Sequence, residues 1–101
     1  SESLAAESAA RLARIDANRE RQDARILLGA AEVRYEALAG PGIAQAEEAL
    51  RLARIGYNAG RFSLLELLDA QTALTTAKLT LIQARLDRAN ALAALIRANA
   101  Q

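Results

Sequence analysis

Apolar residues recur along this chain in heptads. Ile43, Leu50 and Tyr57 stand seven apart, as do Ala46, Ala53 and Gly60. Further on, Leu67, Leu74 and Leu81 repeat in the same way, beside Ala70, Ala77 and Ala84. Each seam sets a large residue against a small one, a coiled-coil spacing that lets helices approach closely. Upstream, Ala24, Leu28, Ala31, Tyr35 and Leu38 continue a 3–4 spacing. The pattern predicts an all-α chain, a long antiparallel coiled-coil hairpin. The first helix covers about 2–59 and the second about 64–100, or about 85 Å and about 55 Å at the α-helical rise.

The arms are unequal. About 20 residues at the start of the first helix have no partner in a simple hairpin, by the same rise per residue. The second helix also carries a further apolar line: Leu65, Leu68, Thr72, Thr75, Leu79, Ile82 and Leu86. A two-stranded coiled coil needs one stripe per helix. Two stripes mean two neighbours, as in a bundle or in the wall of a tube. The tube also accounts for the unequal arms.

Between the helices lies Tyr57 to Ala70, YNAGRFSLLELLDA. Gly60 is placed to end the first helix in the left-handed conformation, where it has no Cβ to clash. Ser63 and Glu66 form an S-x-x-E capping box at the start of the second helix. Phe62 before the cap and Leu67 after it are spaced as a hydrophobic staple. The tip turn is therefore expected at 58–63, with residues 1–101 forming one hairpin.

Gly40-Pro41-Gly42 interrupts the first helix. Pro41 removes a backbone donor and crowds the preceding turn, and the flanking glycines weaken the helix further. Two outcomes are open: a kink at 40–42 within one long helix, or a break that lets Glu2–Ala39 fold back as a third helix. The middle helix of such a bundle would be only about half as long as its neighbours at the same rise per residue, which is geometrically awkward.

Composition narrows the chemistry. The chain has no Cys, His, Met or Trp. Zinc, copper and haem sites lack their usual ligands, and no His-based catalytic triad can be built. No cofactor, metal site or enzymatic role is expected. The net charge of +1 gives no strong pull toward nucleic acid. No apolar run is long enough to span a membrane as a helix. Hydrophobic residues make up 52% of the chain but aromatics only 3%, with alanine dominating. That suits helices packed along their lengths better than a globular core.

The Tyr-x-x-Gly turn, the Leu-Leu-Asp-Ala-Gln run and the returning alanine-rich helix resemble the TolC-type outer-membrane efflux proteins. The similarity is sharpest over 49–98. The segment G-R-F-S-L-L-E-L-L-D-A-Q is most similar to the heavy-metal branch, the cobalt-zinc-cadmium type. The resemblance implies a trimeric tube whose β-barrel crosses the outer membrane of a Gram-negative bacterium and whose α-helical barrel extends into the periplasm. Each subunit gives two hairpins to that barrel. This chain would be the second, a periplasmic fragment of a longer protein. It would serve as a passive export duct for a tripartite pump, with heavy-metal cations as cargo.

The resemblance also assigns residues. Asn58, Gly60, Arg61, Phe62 and Ser63 would dock the hairpins of a periplasmic adaptor, which links the duct to an inner-membrane pump. Tyr57, Arg61, Glu66 and Asp69 are aperture or gate candidates. Tyr57 matches a group that ties neighbouring coils in the closed state. Arg61, however, stands one position earlier than the family's arginine, where this chain has Phe62, so the chain departs from the family's pattern for that lock. Glu66 already has a capping job. Asp69 lies beside the Leu67/Ala70 seam near the tip, where threefold symmetry would gather a ring of carboxylates favouring cations. A solvated helix-face Asp, stabilised by the helix dipole, is equally compatible. Two other readings stay open: the hairpin of an adaptor, and a generic coiled-coil oligomerisation module.

Overall fold

Strong helix formers at heptad spacing give two arms and little else. The computed structural model describes residues 2–101. α1 runs Glu2–Ala37, a π-helical turn occupies Leu38–Gly42, α2 runs Ile43–Asn58, and α3 returns over Leu64–Asn99. No described residue lies in a strand. α3 packs against α1, α2 and the π turn. The hairpin measures 85 × 18 × 14 Å, and its long dimension matches about 57 residues of unbroken helix.

The first arm does not fold back. Ala37 and Ile43, on either side of the π turn, both keep right-handed helical dihedrals. The third-helix alternative therefore falls, and the interruption is a local widening of one continuous arm. Pro41 sits inside the widened turn. The Ile43 N–H reaches back to the Leu38 carbonyl, one residue further than in an α-helix. Proline is tolerated here because the wider turn relieves its clash with the preceding carbonyl.

The seam follows the predicted spacing, with one shift. On α3, Leu67, Ala70, Leu74, Ala77, Leu81, Ala84, Arg88, Ala91, Leu95 and Ala98 are all buried or half-buried, in an unbroken 3–4 alternation. On α1 the same alternation passes through Ala24, Leu28, Ala31, Tyr35 and Leu38. It would next fall on Gly42 and then on Gln45. Gly42 is itself half-buried, but beyond it Gln45, Ala49 and Leu52 are exposed and the inward positions are Ile43, Ala46, Leu50 and Ala53. The π turn supplies the one extra residue by which the two halves of the first arm are out of phase.

Two expectations need correction. Tyr57 does not continue the seam: Gly56 is buried in its place, and Tyr57 is 40% exposed. Gly60 likewise lies in the exposed turn. Tight turn geometry takes over from the heptad within the last helical turn. The unequal arms are as expected. Residues 2–16 are exposed throughout, and the last turn of α3 lies level with Glu20–Leu27.

Candidate functional site

The tip is built from reciprocal backbone caps. Gly60 has φ +74, the described residue that requires the left-handed region. Its N–H donates to the Tyr57 carbonyl at 3.0 Å, and the Arg61 N–H donates to the Gly56 carbonyl at 2.8 Å. Those two bonds are a Schellman motif, which satisfies the carbonyls that the ending helix leaves free. Ser63 opens α3. Its Oγ accepts from the Glu66 N–H at 3.1 Å, and the Ser63 N–H donates to Glu66 Oε2 at 2.7 Å. The expected capping box is present.

Phe62 takes a position that the sequence reading missed. Its ring lies directly over Gly56: a Cβ at position 56 would stand 2.5 Å from Phe62 Cδ2. The Phe62 N–H also donates to the Gly56 carbonyl at 3.1 Å. The contact shown for the ring is thus with the first arm. Leu52, Ile55, Gly56, Ala59, Arg61 and Phe62 line a shallow apolar groove beside it. The signal for this seat was Gly56 itself, a helix-weakening residue placed where only a bare backbone admits the ring.

The remaining tip candidates point outward. Asn58, Arg61, Glu66 and Asp69 are exposed. Among the described residues Arg61 forms no ion pair, and no side-chain partner is placed on Asp69. Glu66 is committed to the cap. Tyr57 and Arg61 are not brought together into a lock within one chain.

Away from the tip, α3 presents a second, uncovered stripe. Leu65, Leu68, Leu79, Ile82 and Leu86 are all exposed, Leu65 at 67% and Leu79 at 62%. Near the middle of the hairpin the arms are tied by polar groups. Arg34 donates to Asp87 at 3.1 Å. Arg88 stacks over the Tyr35 ring at 3.8 Å, with Arg85 further out at 6.0 Å. Arg88 can hold a seam position because its guanidinium lies over the Tyr35 ring, a cation–π contact. On α2, Arg51 grips Glu48 with two bonds of 2.9 and 2.6 Å, and this holds the Glu48 carboxyl below its ordinary pKa. Among the described residues no cluster of His, Cys, Asp or Glu is placed to hold a metal ion. No described helix is long and apolar enough to cross a membrane.

The family described as outer membrane efflux protein matches residues 1–101. Neither the curated proteins nor the solved structures give a match.

Proposed function

The chain belongs to the outer membrane efflux protein family, and we propose that it is a wall segment of the periplasmic tunnel of a trimeric efflux channel. The observation that carries this reading is the pair of apolar stripes on α3. One is spent on the hairpin's own seam. The other, from Leu65 to Leu86, is left open along the tip-proximal part of the helix. In a tube wall, a neighbouring hairpin covers that stripe, and a further neighbour meets the unpaired start of α1. The chain acts as a passive duct with no chemistry of its own. Family membership favours the channel over the adaptor hairpin, and the use of a specific capped turn with a seated Phe62 favours it over a generic oligomerisation module.

The tip from Asn58 to Ser63 docks the helical hairpins of a periplasmic adaptor, and through them the inner-membrane pump. Exposed Asn58, Arg61 and Phe62 beside the Leu52/Ile55 groove offer polar, cationic and apolar contacts on a rigid capped turn. Tyr57, Arg61, Glu66 and Asp69 surround the aperture. Heavy-metal cations are the proposed cargo, supported by the resemblance of Gly60–Gln71. The chain has no His, Cys or Met to retain such ions in passage.

Single cysteines at Asn58 and Arg61 in the assembled channel test the docking. Each is expected to cross-link to the tips of the adaptor hairpins in cells. If the adaptor co-purifies with the channel while neither cysteine links to it, the tip is not the docking surface.

A further inference from the structure

We infer that the π turn at Leu38–Gly42 is a register joint: a single residue surplus to the seam, at which the first arm bends during opening. The inference rests on the tunnel reading for its functional consequence and on seam geometry for its existence.

α3 gives no reason for the extra residue. Its inward positions run from Leu67 to Ala98 without a skip. The shift is confined to the first arm, between Leu38 and Ile43. Remove one residue there and the inward positions of that arm, from Ala24 through Leu38 to Ala53, become one continuous 3–4 alternation. The hairpin would then pack with no π turn at all. An insertion that packing does not need interrupts the α-helical ladder of the arm, and such single π turns are rare and frequently stand at functional positions.

The local chemistry keeps the joint soft. Pro41 has no N–H to donate, so one rung of the helical ladder is missing for good. Gly40 has open space around its missing side chain. At Gly42 a Cβ would stand 3.1 Å from the Ala37 carbonyl oxygen, so a side chain there would crowd the widened turn. The joint touches α3, so bending it changes how the lower arm and the tip lie against their neighbours. An arm of α1 on one side and the tip-bearing α2 on the other can thereby turn as two stiff rods.

Two variants of the assembled channel test this. The first deletes Gly40 and carries Pro41→Ala, restoring a continuous heptad. It should melt at a higher temperature than the unmodified channel. Amide exchange over residues 38–43 should slow by about tenfold or more, as a locally opening turn becomes regular helix. In planar bilayers bathed in potassium chloride, its openings should become rarer. The second variant carries Gly40→Ala and Pro41→Ala, keeping the surplus residue. It should open less often than the unmodified channel, because the Gly-Pro softness is gone, but clearly more often than the deletion variant.

A deletion variant that melts lower, or exchanges as before, would show that the residue is needed by the seam. One that is stiffer yet opens normally would show that the joint does not serve opening, while leaving the tunnel reading intact. If the two variants lose opening equally, the Gly-Pro chemistry and not the surplus residue is responsible, and the register joint is wrong. The melting and exchange results concern the joint alone, so they stand or fall apart from the channel.

Discussion

The ring of Phe62 occupies the space that a side chain at Gly56 would need, with Cδ2 only 2.5 Å from the missing Cβ. This contact ties the turn to the end of α2. Ala is intrinsically favoured over Gly in a helix by about 1 kcal/mol. In the Phe62→Ala background, Gly56→Ala should therefore stabilise the chain by up to about 1 kcal/mol. With Phe62 present the gain should vanish, because the ring must swing off its seat. A double-mutant cycle by chemical denaturation measures the difference. Equal effects in both backgrounds would mean that ring and backbone do not compete for this space.

The capping box makes a separate prediction. Ser63→Ala removes the acceptor for the Glu66 N–H and should cost about 1 kcal/mol. Glu66→Gln keeps an acceptor for the Ser63 N–H and should cost less than Glu66→Ala. Thermal melts of the three variants give the order. If Ser63→Ala melts like the unmodified chain, the hydroxyl contributes nothing that water does not replace.

Glu48 should titrate below an ordinary glutamate because Arg51 donates two hydrogen bonds to its carboxylate. The sign follows from the depressed folded value. The pair's contribution is present above the unfolded pKa of Glu48 and is lost as pH falls through the lower folded one. Both groups are exposed, so salt should weaken the effect. In a carbon-detected NMR titration, Arg51→Ala should return the Glu48 carboxyl toward its ordinary range. An unmoved titration would remove Arg51 as the cause.

Asp69 is exposed near the tip and no partner is placed on its carboxylate. Gathered threefold around a constriction, such carboxylates would favour cations. Asp69→Ala in the assembled channel should weaken block by divalent cations and change conductance in planar bilayers. Unchanged single-channel currents would make Asp69 an ordinary solvated residue on the α3 face.

Local features were the most legible in the sequence. Gly60, Ser63 and Glu66 act through bonds to residues three or four positions away, so spacing alone located the turn. The heptads on α3 were equally plain, because each inward position repeats a leucine or alanine as far as Ala84. Arg88 broke that rule. A charged residue on the seam is explained only by Tyr35, which lies on the other arm. Pro41 announced an interruption, and the first arm runs on through it as the expected helix over 2–59 does, but Pro41 alone did not announce a widened turn. The phase change from Leu38 to Ile43 carried that information and required the two halves to be compared. Tyr57 misled for the opposite reason: its heptad position is right, but the Phe62 ring and the tight turn displace the seam to Gly56. The tip roles proposed for Asn58, Arg61 and Asp69 would depend on an adaptor or on neighbouring subunits, and a single chain holds no trace of those contacts.

The most direct measurement is electron microscopy of the outer-membrane protein that carries this hairpin, purified in detergent. The account predicts a threefold tube with a long helical barrel, the Leu65–Leu86 stripe covered by an adjacent hairpin, and the Gly60–Ser63 turn at the far end. A particle in which the hairpin projects alone, with that stripe facing solvent, would contradict it.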